Sequence, residues 1–250
     1  MGDSNLIPTS AVNNRPFSIY YLSEHAVTME FGNSIHTDTL QQVSLFNDLI
    51  SQNPFPGFRT TVPSYTTLSI CFDPLQVSAC AELPGKGSFA KVSGYLTGLK
   101  YTGLTEMAGA YQTITIPVCY GGDFGPDLNE VVQLHQLTPQ QMIELHSEAV
   151  YKVYMMGFVP GFAYLGGMNE ILESPRKAMP RSSVPAGSVG IAGKQTGIYP
   201  FATPGGWQII GQTPLQLFDA GRQQPSLLKA GDKVIFKPIS RDEFNRLTHQ

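Results

Sequence analysis

Charge is scarce in this sequence, cysteine scarcer, and long apolar runs are missing. Its 250 residues include 16 Lys or Arg and 19 Asp or Glu, for a net charge of −3. No cluster of basic residues occurs, which removes the electrostatic basis for binding nucleic acid or an anionic membrane. The three cysteines, Cys71, Cys80 and Cys119, are widely spaced and form no CxxC pair. That pattern argues against a disulfide scaffold or a zinc site and fits a reducing compartment. They read as small buried hydrophobes, a cysteine nucleophile being the alternative that no neighbouring motif supports. The longest apolar stretches have strand length, well short of the roughly 20 residues that cross a bilayer. The opening residues show no basic region followed by an apolar one, so no signal peptide is expected and the predicted location is the cytoplasm.

Stock catalytic signatures are lacking too. There is no GxxxxGK[ST] loop: Gly193-Lys194-Gln195-Thr196 comes near its ending but places Gln where Ser or Thr must bind the metal. Neither GxSxG nor HExxH occurs. With 42% hydrophobic residues, the chain is nevertheless an ordinary globular one with material for a core.

Two halves differ in texture. In the first, FSIYYL (17–22), AVTMEF (26–31) and TLSICF (67–72) suit strands. DTLQQVSLFNDLISQ (38–52) puts Val43, Phe46, Leu49 and Ile50 on one helical face, with Thr37 or Asp38 as N-cap. The turn set NPFPG (53–57) ends that helix. A β–β–α–β order predicts a small α+β sandwich, a helix covering one face of an antiparallel sheet, at about 15–100. LQVSACAEL (75–83) reads as a short helix broken by Pro84-Gly85-Lys86-Gly87. Residues 95–110 carry Gly and Thr without a sustained period and are taken as a linker.

The second half, at about 110–240, opens with a strand, TITIPV (113–118), and a glycine-rich turn, CYGGDFGPDL (119–128). A helix follows from Thr138, with Pro139 at its first position and Gln141 completing a capping box; Met142, Leu145 and Ala149 form its buried stripe. Residues 157–220 hold 11 of the 25 glycines and 7 of the 19 prolines. That density excludes long helices and predicts short strands joined by tight turns, as in a closed β-barrel whose corners need Gly. Trp207–Ile210 and Lys233–Phe236 read as late barrel strands.

Between Arg181 and Asp219 the only charged residue is Lys194. An uncharged stretch of that length is buried, lines a pocket or forms an interface. Lys194 there is either a point charge for a carboxylate or phosphate, or a lysine reaching solvent from a barrel rim. His146 lies beside Leu145, about 100° round the helix and so at the edge of the buried face. It is a candidate general base, or a boundary histidine bonded to backbone or water. Arg176 and Arg181 flank Pro180 and can either bind an anion together or hold loop carbonyls. Phe158, Phe162, Tyr164, Tyr199 and Trp207 are numerous enough to wall a pocket, although core packing explains each one singly. His25, His36, His135 and His249 lie in polar contexts and receive no role.

GFVPGFAYLGGM (157–168) and PRKAMPRSSVPAGSVGIAGKQTGIYPFATPGGWQIIGQTPLQLFD (175–219) resemble the family of allophanate hydrolase subunit 1-like proteins. That family includes B-type subunits of ATP-dependent 5-oxoprolinases and a sporulation-kinase inhibitor. CYGGDFGPDL (119–128), LHS (145–147) and VPSYTTLSICFDPL (62–75) match as well, so the resemblance runs from about 17 to 238. Ser23-Glu24-His25-Ala26 departs from it, standing where members often carry a GDxA turn. The resemblance implies a small N-terminal α+β domain and a cyclophilin-like β-barrel.

It further implies a complex with an allophanate hydrolase subunit 2-like (C-type) chain and an A-type subunit, which opens the lactam of 5-oxo-L-proline to L-glutamate with ATP. Inhibition of a sensor histidine kinase, or carboxyltransferase action on urea or a related amide, are the alternatives within the family. For the lactam reaction the expected catalytic residues are His146 and Lys194. Arg181, Gly187, Ser188, Gln195, Tyr199 and Trp207 are expected to contact substrate. No metal-binding carboxylate cluster is evident, so ATP and its magnesium are expected mainly on another subunit.

Overall fold

A computed structural model describes residues 17–34, 37–99 and 111–248, with Thr37 described by its backbone alone. The chain divides into two compact units, Met1–Gly109 and Ala110–Gln250.

The first unit runs β1 (Ser18–Ser23), β2 (Ala26–Glu30), α1 (Thr37–Gln52), β3 (Phe58–Pro63), β4 (Thr67–Phe72), α2 (Pro74–Ala79) and α3 (Ser88–Gly98). Its four strands pair antiparallel in the order β1-β2-β4-β3. Strand alternation sends Val27 and Met29 of β2, and Leu68 and Ile70 of β4, to the face that α1 covers with Val43, Phe46 and Ile50. Each fully buried side chain of this size contributes roughly 1.5–3 kcal/mol. Asp73 caps α2: its side chain accepts from the amides of Leu75 and Gln76, and Pro74 takes the first helical position.

Three details differ from the pattern read in the sequence. β3, a half-exposed edge strand, is absent from the expected β–β–α–β order; FRTTVP offers no clear apolar alternation to reveal it. α3 runs into the start of the expected linker, packing Val92 and Leu96 into the core despite Gly94 and Gly98; the remainder, 100–110, lies outside the described residues. α1 begins at Thr37, so Asp38 sits within its first turn and the cap position lies outside the described residues, as do His36 and His249.

The second unit runs β5 (Thr113–Tyr120), α4 (Leu128–His135), α5 (Pro139–Ser147), β6 (Val150–Met156), β7 (Ala163–Gly166), β8 (Arg181–Val184), β9 (Ser188–Ala192), β10 (Gln195–Ile198), β11 (Thr203–Gly205), β12 (Gln208–Gln212), β13 (Lys233–Pro238) and α6 (Arg241–Thr248). Seven strands close a barrel in the order β10-β7-β6-β13-β5-β12-β9, and β8 with β11 form a separate two-stranded ribbon. Of the barrel pairs only β5 with β13 is parallel. The interior is filled: Ile116, Val118, Val153, Leu165, Val189, Ile191, Ile198, Ile210, Val234 and Phe236 are all buried in one cluster with Met142 of α5. The capping box of α5 forms as expected, Thr138 Oγ1 accepting from the Gln141 amide at 3.2 Å and Gln141 Oε1 from the Thr138 amide at 2.8 Å.

Candidate functional site

The strand period divides the expected site residues between the two faces of the barrel wall. Along β10, Thr196 and Ile198 point inward, whereas Gly197 and, just after the strand, Tyr199 face outward.

Inside, His146 is completely buried, contrary to its expected place at the edge of the α5 stripe. The buried stripe is Met142 and His146, four residues apart; Leu145 is only half-buried, and Ala149 lies beyond the helix. His146 Nε2 lies 3.0 Å from Thr196 Oγ1, which itself donates to the Gly190 carbonyl at 3.0 Å. The threonine hydrogen is thereby committed, so Nε2 is the donor and Nδ1 accepts from the Tyr120 hydroxyl at 2.8 Å. The ring stacks on Phe236 with centroids 4.6 Å apart, and Tyr151 donates to the His146 carbonyl at 2.8 Å. Burial pushes the imidazole pKa down to about 3 and the Tyr120 hydroxyl well above its usual value. His146 is thus a neutral core group whose two ring nitrogens are both hydrogen-bonded within the barrel.

Outside, Phe162 packs edge-to-face with Tyr199 and Trp207 in a cluster with Val184, Ala192 and Ile209, and Tyr164 joins their rim. Gly197 makes this possible. A Cβ there would lie 3.0 Å from Trp207 Cζ3 and 3.1 Å from Phe162 Cζ.

Beside this aromatic face stands a buried acid, Asp127, 1% exposed, just ahead of α4. Its Oδ1 receives Arg181 Nη2 at 2.6 Å and Lys177 Nζ at 2.8 Å, and its Oδ2 receives the Ile209 amide at 2.7 Å. Lys177 also reaches Glu130 at 2.7 Å. Burial alone would raise the Asp127 pKa, but the hydrogen bonds from Arg181, Lys177 and Ile209 outweigh it and hold the carboxyl below its usual value. Hydrogen bonds to Asp127 and Glu130 raise the Lys177 pKa in turn.

The other expected contacts lie in and around β9 and β10. Gly187 takes φ +79° in the turn before β9, where a Cβ would lie 2.3 Å from the Thr213 carbonyl. Its amide donates to Tyr199 O and its carbonyl accepts from Thr213 N. Ser188 is buried, its carbonyl accepting from Tyr199 N, and Gln195 opens β10. Lys194 sits at the tip of the β9–β10 hairpin, 65% exposed, at 3.7 Å from Glu170 and 3.9 Å from Glu173. That is the rim placement rather than a cavity. Of the expected set the fold brings together Arg181, Tyr199 and Trp207, and it separates them from His146 and Lys194.

Asp127 and Lys177 escaped the sequence reading. Their signal is in the sequence: Asp127 closes Gly125-Pro126-Asp127 ahead of a helix, and Lys177 lies between Arg176 and Arg181. α4 was missed with them, because its eight residues are too few to show a period beside a glycine-rich turn. Among the described residues no group of His, Cys, Asp and Glu is arranged to hold a metal ion, and no helix is long and apolar enough to cross a membrane.

The model of the carboxyltransferase domain, subdomain C and D, matches residues 17–228. The chain belongs to that family. It is 42% identical over 233 residues to the B-type 5-oxoprolinase subunit of Bacillus subtilis (strain 168), covering 92% of this chain and 95% of that one. The crystal structure of TTHA0988 superposes with a TM-score of 0.73 and 32% identity, covering 86% of this chain and 40% of that longer one. The urea amidolyase of K. lactis shares the fold, with a TM-score of 0.67 at 15% identity over 93% of this chain and 15% of that one. This family membership agrees with the resemblance carried by residues 157–219.

Proposed function

We propose that the chain is the B-type subunit of a cytoplasmic, ATP-dependent 5-oxoprolinase. In this reading it turns over 5-oxo-L-proline to L-glutamate only together with an allophanate hydrolase subunit 2-like chain and an A-type subunit. The observation that carries the reading is the 42% identity to the B-type 5-oxoprolinase subunit of Bacillus subtilis across nearly the full length of both chains. The need for a companion is supported by the longer relatives, in which the region like this chain is joined to further polypeptide.

A lactam carbonyl is a weak electrophile. Transfer of the ATP γ-phosphoryl group to the lactam oxygen leaves ADP. Water then adds to the ring carbon, and the ring C–N bond breaks to free the amine and leave an acyl phosphate. A second water hydrolyses that to the carboxylate and phosphate. Such a site must hold a carboxylate and meet developing charge with preorganised donors. The outer face of the barrel offers cations for the carboxylate in Arg176 and in the second guanidinium nitrogen of Arg181, beside Tyr164 and Tyr199, while ATP and its magnesium are assigned to the companions. Carboxyl transfer to urea or a related amide is the second reading, favoured by the family's own description; it needs a carboxybiotin supplied by another chain.

The test is 5-oxoproline-dependent ADP release by the chain purified with its companions, against the same mixture without it. The expected result is release that requires this chain. Unchanged release without it would end the oxoprolinase reading. Lys194→Ala in the same assay asks whether the β9–β10 tip reaches the shared site: a loss places it there, and no change leaves it a rim residue.

A further inference from the structure

The loop between β6 and β7 carries a feature that the chemistry above does not use. Phe158 has φ +66° and is one of two residues other than glycine with positive φ among those described. For a bulky side chain that conformation is strained and persists only where the surroundings impose it. Here it holds a ring 60% exposed to solvent, edge-on at 5.6 Å to the buried Phe162.

The loop is built to keep that ring out. The Val159 amide donates to Gly157 O at 2.8 Å, Phe162 N to Val159 O at 3.1 Å and Gly157 N to Phe162 O at 3.1 Å. Gly161, at φ +82°, lets the loop press onto its support, for a Cβ there would lie 2.6 Å from Phe218 Cβ. Phe218 in turn meets the part-exposed Phe201, with centroids 5.6 Å apart. A cleft of about 440 Å³ runs along the loop, and Ser226 is the only residue lining it with a polar side chain.

We infer that the Phe158 loop is a preorganised docking knob that inserts into an uncharged, apolar pocket on the companion polypeptide. The inference rests on the reading of the chain as one component of a complex. A protruding aromatic ring calls for a cavity in another macromolecule, whereas small ligands are held in concave sites. Residues 182–218, which include Phe201 and Phe218, carry one charge, Lys194, so the partner surface is matched by shape and apolar area rather than by charge. TTHA0988 and the urea amidolyase supply the additional polypeptide within one chain. Rigidity is an advantage here, since an ordered loop has little freedom left to lose on binding.

The experiment measures, by titration calorimetry, binding of the separately purified allophanate hydrolase subunit 2-like companion to the full chain and to Phe158→Gly and Phe158→Asp. The melting temperature of each is recorded alone. Glycine adopts φ +66° without strain, so Phe158→Gly is expected to melt no lower than the unaltered protein yet to bind at least ~10-fold more weakly, as loss of a central aromatic anchor does. Unchanged binding by both variants overturns the inference, as does a drop in melting temperature large enough to account for the lost affinity. Self-association of the unaltered chain that disappears in Phe158→Gly makes a second copy the occupant and overturns it also. If the unaltered chains do not bind one another, the docking inference fails, and the ADP-release assay decides separately on the oxoprolinase reading.

Discussion

At His146 the protein keeps an ionisable ring neutral by leaving it no room for a second proton. Nε2–H is directed to Thr196, Nδ1 is filled by the Tyr120 hydroxyl, and water is excluded. The folded pKa is about 3 against 6.5 for a free histidine. Between those values the unfolded chain binds a proton that the folded chain refuses. The stability contribution is therefore complete above pH 6.5 and declines as pH falls toward 3, at about 1.4 kcal/mol per pH unit. Urea midpoints measured from pH 7 to pH 4 should fall along that slope. In His146→Gln, less stable at neutral pH, this component should vanish; an identical slope in the variant would contradict the assignment. Asp127 works in the opposite sense, an acid kept charged by two cations and an amide. Breaking that buried set by removing one partner costs more than an exposed ion pair such as Lys194 with Glu170 ever contributes.

Single strands decide which residues can act together. Within β10 the step from Thr196 to Gly197 crosses the barrel wall, so two neighbours in sequence serve different layers. Gly197→Ala would put a methyl group against Trp207, Phe162 and the Ala163 carbonyl, all within 3.1 Å. The expected cost is roughly 1–3 kcal/mol. Because Trp207 is the only tryptophan, its fluorescence in the folded variant should shift as the aromatic face loosens; unaltered emission and stability would show that the face yields freely. The same alternation explains what could be read in advance. Strands with apolar runs, such as TLSICF and TITIPV, and the capped helix α5 declare themselves through local pattern. The polar edge strand β3, the glycine-bearing helix α3 and the short helix α4 carry no such pattern and are held by tertiary packing. The outward set Arg181, Tyr199 and Trp207 was legible as residue types. Its separation from His146 was not, since which residues of β9 and β10 face inward depends on how the barrel closes. Asp127 is joined to Ile209 across 82 positions, a pairing that no local period reveals.

Each of the two units has its own main core, the first around Phe46, Leu68 and Ile70, the second around Met142, Leu165 and Phe236. Separate cores make independent folding of each unit the expectation. A fragment of residues 111–248 is expected to be monomeric and to unfold in one cooperative transition, with the near-ultraviolet dichroism of a packed Trp207. A molten fragment without that signal would mean that the barrel needs the first unit. The parallel β5–β13 pair joins strands made far apart in time during biosynthesis. The Gln112 amide bonds to Asp232 Oδ1 from 120 positions away, and β13 then fills the gap between β5 and β6. On the ribosome those two strands therefore emerge long before the strand that joins them. Until it arrives the nascent barrel stays open, its unpaired edges exposed to other chains, and closure becomes one of the last acts of its folding.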